Sequence, residues 1–336
     1  AGAVYYILGH DVSDPIEQIR TIEKIDFRQP KFVPKPITLE QVFNQDKIDV
    51  PKSAMTILFT GDVMLARKVN AKATQYGNFT WPFEKVADRL SASDITVVNL
   101  EGPITKNCPL TTEGFKFCGD KRHITGLTLA GVDIANLANN HSDNYGQVGL
   151  KETKEILGSD NIRTFGVGEP LFYTHKSTSL AFLGYDVVFQ ESDPLMPAIE
   201  ADIARAADRA DLVIVSFHWG DEYTDTPNKH QTSLAHAAID AGADVIIGHH
   251  PHWIQTVEIY NDKLIQYSLG NFVFDQMWSQ KTREGIAAEL SFYENKLVDA
   301  ELLPVLIEDF GQPRFLDGVE KTKIIREIKS NSTTKQ

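Results

Sequence analysis

The sequence predicts an α/β fold in which two mixed sheets pack face to face with helices outside. Three observations lead to it. From residue 55 to about 250, short β-branched runs alternate with segments that carry apolar residues at helical spacing. Several of those runs are apolar enough to be buried on both faces, as strands of parallel sheets are. After residue 253 the alternation gives way to consecutive strands, and an α/β half followed by an antiparallel half suits two packed sheets.

The elements follow in order. Residues 1–53, rich in Pro, Lys, Gln and Asp, show little periodicity and read as an extended arm that lies on the domain or links it to an anchor. The folded body, residues 54–318, opens at AMTILFTGD. Its strand-like runs are MTILFT, DITVVNL, VDIANLA, SLAFLGY, DLVIVSF and ADVIIGH. Helical patterns lie between them in WPFEKVADRLSAS, GLKETKEILGS, MPAIEADIARAADRA and NKHQTSLAHAAIDAG, with Gly158 as a helix stop. Then come IQTVEIY, a turn at Asn261 and Asp262, KLIQYSL, GIAAELSFY, a turn at Glu294 and Asn295, and KLVDAELLPV. The tail, 319–336, ends in the polar IKSNSTTKQ and is expected to be partly disordered.

Composition sets outer limits. The 336 residues are 42% hydrophobic, enough for a substantial core. A formal net charge of −13 argues against nucleic acid or an anionic membrane surface as the main partner, since both would be repelled. Cys108 and Cys118 sit in one bent segment, NCPLTTEGFKFC, where a disulfide and a pair of free thiols are both open. No window approaches the roughly 18 apolar residues of a membrane helix. The chain starts without methionine, which fits either a removed upstream signal or anchor, or a trimmed chain.

Each strand-like run stops at a polar cluster: Asp62; Asn99 and Glu101; Asn140 and His141; His218; then His249, His250 and His252. In parallel α/β sheets the carboxyl ends of strands converge on one crevice, so residues about 40 apart in sequence can share a site. Two carboxylates, an amide oxygen and several imidazoles form a mixed O/N donor set suited to zinc, manganese or iron, and too nitrogen-rich for calcium or magnesium. A hydrolytic metal pair is the natural reading.

In this order, TGDVMLAR, VVNLEGPIT, ANLANNHSDNYGQVGL, SFHWGDEY, DAGADVIIGHHPHWIQ and IQYSLGNFVFD resemble the poly-γ-glutamate capsule biosynthesis (CapA-like) family of the calcineurin-like metallophosphoesterase superfamily. The resemblance covers about residues 55–305 and implies a metallophosphatase-like four-layer α/β/β/α sandwich. It implies that Asp62 is the first metal-binding aspartate and that Glu101 stands where an aspartate usually bridges both ions. Asn140 then resembles the amide ligand of the second ion, and His141 the outer-sphere histidine that donates a proton to a leaving group. His218 resembles the lone histidine after the next strand, and His250 and His252 the final His-x-His, with Pro251 stiffening the turn. His249 is spare and suits an orienting role behind a ligand. Two departures stand out: Met64 replaces the histidine of Asp-x-His, and NLEG replaces Gly-Asp-x-x-Asp. A thioether does not suit a hard ion, so one or two divalent transition-metal ions are expected.

Other residues have blander readings. A Gly-Asp after a strand is by itself a turn, and Asn139 suits an Asx-turn better than a ligand role. His218 beside Trp219 could be a satisfied core histidine, although Asp221 and Glu222 follow closely. His230 and His236 are six apart and do not share a helix face. His236 is read as packing, and His10, His123 and His175 as surface residues. Arg67 and Lys116 are candidate contacts for an anionic substrate, Asn99 an orienting group, and Asn271 a turn residue or substrate contact.

Taken with the resemblance, these residues imply a capsule or poly-γ-glutamate biosynthesis protein. It is expected outside the cytoplasm, secreted or anchored through a removed N-terminal segment, beside membrane proteins of polyglutamate synthesis or export. Its metal-dependent, hydrolase-like site would act on or hold a polyanionic polymer. Two alternatives remain: a phosphoesterase of mono- or diesters, and a non-catalytic polymer-holding module, which the Met64 departure keeps open.

Overall fold

The computed structural model describes residues 32–44, 49–188 and 192–335. The described residues from Pro34 onward belong to one compact unit. In chain order its strands are β1 (Met55–Val63), β2 (Ile95–Leu100), β3 (Ile104–Thr105), β4 (Gly119–Asp120), β5 (Ile134–Asn136), β6 (Arg163–Phe165), β7 (Leu171–His175), β8 (Thr178–Asp186) and β9 (Leu212–His218). They continue as β10 (Val245–His249), β11 (Val257–Tyr260), β12 (Lys263–Gln266), β13 (Asn271–Val273), β14 (Glu284–Tyr293), β15 (Lys296–Glu308), β16 (Gln312–Phe315) and β17 (Thr333–Lys335).

Two mixed sheets result. The first runs β16-β15-β14-β1-β2-β5-β6, with β13 also paired to β1; the second runs β17-β11-β12-β10-β9-β8-β7. Strands β1, β2, β5 and β6 are parallel, as are β8, β9, β10 and β12. The consecutive strands after residue 253 therefore divide: β11 and β12 extend the second sheet, whereas β14 to β16 form the antiparallel half of the first.

The alternation of side chains along each strand builds three apolar layers. Ile57 and Phe59 of β1 meet Phe182, Ile214 and Ile247 of the second sheet in a core between the sheets. Leu58 and Val98 face the opposite way, against Val69 of helix Arg67–Tyr76 and Leu157 of helix Gly146–Ser159. Val213, Val215 and Ile246 pack under helices Ser192–Ala207 and Lys229–Asp240 through Ile203, Leu234 and Ala238. This is the expected α/β/β/α sandwich, and each fully buried Leu, Ile or Phe in it contributes about 1.5–3 kcal/mol. The turns at Asn261-Asp262 and Glu294-Asn295 both have positive φ at their two central residues, as two-residue hairpins require.

Several expectations need correction. WPFEKVADRLSAS is helical only at Ala87–Leu90. Trp81 and Phe83 are both buried, and residues two apart cannot both face inward from a helix, so the chain turns there instead. Order also extends into parts of the expected arm and tail. Residues 1–31 and 45–48 of the expected arm lie outside the described residues, but Leu39–Phe43 forms a short helix with a Thr38–Gln41 capping box and buries Val42 and Phe43 in the inter-sheet core. The tail expected to be partly disordered is ordered at Gly318–Asn331, a helix that buries Ile324, Ile325 and Ile328, followed by β17 paired to β11. Among the described residues no helix is long and apolar enough to cross a membrane.

Candidate metal centre

The register of both sheets brings the strand-end residues to one edge. Asp62 is level with Asn99 on one side and Asn271 on the other; Asn99 is level with Asn136, and His218 with His249. Asp62 is fully buried. Its Oδ1 accepts the Asn99 amide at 2.9 Å and faces His249 Nδ1 at 3.1 Å, and its Oδ2 faces His252 Nδ1 at 3.2 Å. Burial alone opposes ionisation of this carboxyl, yet the hydrogen bonds of His249 and His252 prevail and hold it well below the usual carboxylate range.

Asn99 is itself oriented. The backbone N–H of Ala138 donates to Asn136 Oδ1 at 3.0 Å, which turns the Asn136 amide N–H toward Asn99 Oδ1 at 3.1 Å and leaves the Asn99 amide N–H for Asp62. Asn136 is not among the residues that the sequence marks as site candidates. Its place at the end of a buried strand run, like that of Asn99, is the signal that marks it.

Ligand-type atoms of Asp62, Glu101 and His218 lie within 4.8 Å of one another. His252 Nε2 and His141 Nε2 each stand 3.9 Å from Glu101 Oε1. The His250 ring centre is 5.0 Å from that of His218 and 5.9 Å from that of His252. His250 and His252 flank Pro251 with φ of +94° and +58°, a left-handed backbone that side-chain-bearing residues adopt at a cost of about 1–3 kcal/mol each. Strain of this kind persists where the surrounding structure requires it, here at the turn that aims both imidazoles inward.

Burial pushes the Glu101 carboxyl up to about 8, with the Asp62 charge adding to the effect. His252 goes the other way: burial disfavours its charge, but Glu101 and Asp62 raise it to about 9. His218, enclosed and near His250, is held well below the imidazole range, and burial with the His252 charge lowers His250 to about 3. The site thus pairs cation-ready neutral imidazoles with a carboxylate that is costly to ionise unless a cation is near.

These residues fit a divalent metal. Both oxygens of Glu101, both ring nitrogens of His218, Asn140 Oδ1 and His250 Nδ1 are buried without a hydrogen-bond partner. Unsatisfied buried polar groups cost about 1–3 kcal/mol each, a cost that a cation held among Asp62, Glu101 and His218 would offset. The donors are oxygen and imidazole nitrogen, the set that zinc, manganese and iron accept.

The remaining predicted residues are placed as follows. Asn271 is fully buried, and its Oδ1 lies 3.0 Å from His252 Nδ1. His141 Nδ1 is 3.0 Å from Asn144 Oδ1. Arg67 is bound to Asp275, donates Nη1 to Gly114 O at 3.2 Å and lies 4.7 Å over the Phe117 ring. Lys116 sits 4.5 Å over the Tyr145 ring. Asn139 accepts from His141 N–H at 3.3 Å and ties Leu100 O at 2.9 Å, a turn arrangement. Met64 is fully buried in the apolar layer that contains Val69 and Phe272. His236 stacks on Tyr260 at 3.9 Å. His10 lies outside the described residues, and His175 is half-buried beside Asp94 at 3.4 Å. His123, expected at the surface, is fully buried, with Nε2 3.1 Å from Asn70 Oδ1 and its ring edge-on to Phe79; no pattern in its neighbours marks that burial. Cys108 and Cys118 are joined in a disulfide with 5.6 Å between Cα atoms.

A sequence model of the family described as bacterial capsule synthesis protein PGA_cap matches residues 56–276. The chain is 33% identical over 314 residues to the PGA biosynthesis protein CapA of Bacillus subtilis (strain 168), a match that covers 85% of this chain and 82% of that one. It is 29% identical over 305 residues to the capsule biosynthesis protein CapA of Bacillus anthracis, covering 83% and 74%. In fold it is similar to a novel phosphatase from Mycoplasma pneumoniae, with a TM-score of 0.51 at 14% identity over 76% of this chain and 95% of that one. Matched along most of its folded body, the chain belongs to the bacterial capsule synthesis protein family PGA_cap.

Proposed function

We propose that this protein serves poly-γ-glutamate or capsule biosynthesis as a metal-dependent hydrolase acting on a polyanionic amide polymer outside the cytoplasm. The observation that carries the reading is the group of buried donor atoms without partners on Glu101, Asn140, His218 and His250 at the strand ends. Asp62, Glu101, Asn140, His218, His250 and His252 would hold one or two ions. Bound there, manganese, zinc or iron supplies Lewis-acid chemistry, stabilising negative charge on an attacked carbonyl oxygen and making water more acidic.

The chain's own residues do the rest. Asn99 and Asn136 orient Asp62, and His141 presents Nε2 toward Glu101, where it can take a proton from the attacking water and pass it to the leaving amine. The net charge of −13 opposes a polyanion at long range, so recognition falls to local cations; Lys116 precedes Phe117 beside His141, and Arg67, over the same ring, is already paired with Asp275. The Cys108–Cys118 disulfide supports an oxidising location, and the relatives named for PGA and capsule biosynthesis support the polymer class.

The test incubates the purified chain and manganese or zinc with poly-γ-glutamate and, in parallel, with an aryl phosphate. Shortening of the polymer with new amino ends, lost in His141→Ala, supports the proposal. Turnover of the aryl phosphate alone replaces it with a phosphoesterase, and polymer binding without cleavage replaces it with a holding module.

A further inference from the structure

The loop closed by the disulfide reaches the metal centre through one side chain. Phe117, next to Cys118 and 3% exposed, stacks on the His141 ring with 3.9 Å between centroids and 25° between planes. Its other contacts leave it little freedom. The Arg67 guanidinium lies 4.7 Å over the Phe117 ring and donates to Gly114 O of the same loop at 3.2 Å. Gly102, directly after Glu101, has φ of +118°, and a Cβ there would come within 2.8 Å of Phe117 Cβ. The loop therefore abuts the strand end that carries Glu101.

The hydrogen bonds specify more than position. The backbone N–H of Phe117 donates to the side chain of Asn144 at 2.6 Å, so the Asn144 atom it faces must be the oxygen. That same oxygen is 3.0 Å from His141 Nδ1. A carbonyl oxygen only accepts, so Nδ1 carries the hydrogen, and in the neutral ring the lone pair is on Nε2, the nitrogen 3.9 Å from Glu101 Oε1.

We infer that Phe117 and Asn144 are positioning residues for His141: Asn144 selects the Nδ1–H tautomer, Phe117 sets the plane of the ring, and the Cys108–Cys118 disulfide holds Phe117 in place. The inference rests on His141 serving the proposed hydrolysis, but the arrangement can be tested without it.

The experiment records the imidazole 15N–1H correlation spectrum of the full chain, with His141 assigned by its absence in His141→Gln. In the unaltered protein, Nδ1 should appear in the protonated range and Nε2 in the unprotonated range, with ring protons moved upfield by the stacked Phe117. Asn144→Ala should bring the two nitrogen shifts together, and Phe117→Leu should move the ring protons downfield, while Phe115→Ala, exposed on the same loop, changes neither. Where a variant does not fold, the unaltered protein is treated with dithiothreitol. The reagent closes to its cyclic disulfide as Cys108 and Cys118 each gain a hydrogen, and the His141 ring protons should move toward their Phe117→Leu positions. Unchanged His141 signals in Asn144→Ala and Phe117→Leu, or after reduction, overturn the inference. If the polymer is cleaved, both variants should lower kcat about tenfold with KM held. If it is not, the spectra still decide the positioning question, so failure of the hydrolase reading stays separate.

Discussion

Asn136 controls Asp62 without touching it. Its amide donates to Asn99 Oδ1 at 3.1 Å, and Asn99 in turn donates to Asp62 Oδ1 at 2.9 Å. Partners of this sort behind a metal ligand are worth about 10–100-fold in metal affinity. Asn136→Ala should therefore weaken manganese or zinc binding by about tenfold or more, as titration calorimetry would register. Gly166→Ala should act in the same direction, because a Cβ there would lie 2.5 Å from Asn136 Oδ1 at a φ of +88°. Unchanged affinity in both variants would refute the relay.

Metal binding should release protons and strengthen as pH rises. Glu101, raised to about 8, and His252, raised to about 9, hold at least one proton between them at pH 7 before a cation arrives, whereas a ligand must be deprotonated. Calorimetry at pH 7 in buffers of different ionisation enthalpy should therefore report net proton release, with the released number shrinking above pH 9. Affinity that is flat between pH 6.5 and 9 would contradict the electrostatic picture.

How much of this was legible in the sequence depended on whether the signal was local. A strand buried on both faces reads as an apolar run with a polar stop, which is why Asp62, Asn99, Glu101 and His218 stood out before any coordinates. The β1, β2, β8, β9 and β10 runs are found where they were expected. The last polar residues of the tail mask Ile324, Ile325 and Ile328, which stand at helical spacing just before them. Asn144 and Phe117 carry no local mark of their roles, and Asn136 has only its place at the end of a buried strand run. What they do comes from register across β2 and β5 and from the folding back of the disulfide loop, and neither is a property of neighbouring residues.

His123 should make the fold sensitive to acid independently of the metal centre. Burial lowers its pKa to about 3, while an exposed histidine in the unfolded chain titrates near 6.5. Between those values the unfolded state binds more protons, so stability falls as pH drops below about 6.5 and the loss is complete near 3. His123→Gln, whose side chain can keep a hydrogen bond to Asn70, should show a smaller loss between pH 7.5 and 4.5 in urea unfolding. An equal loss in variant and parent would mean that His123 is not the sensor.

The sequence resemblance implies a metal-binding histidine where this chain has Met64, and substitution of Met64 tests whether its thioether stands in for that nitrogen. The side chain is fully buried in an apolar layer, and its Sδ lies 3.0 Å from the backbone N–H of Ala66. Those contacts are those of a packing residue, and a thioether is a poor partner for a hard ion such as manganese. Leucine has nearly the same volume, so Met64→Leu should cost less than about 1.5 kcal/mol and leave the metal content per chain unchanged. His252→Ala, which removes a nitrogen 3.2 Å from Asp62, should lower that content under the same conditions. Elemental analysis of the two variants decides the matter: a drop in metal with leucine at 64 would show that the sulfur is a ligand after all.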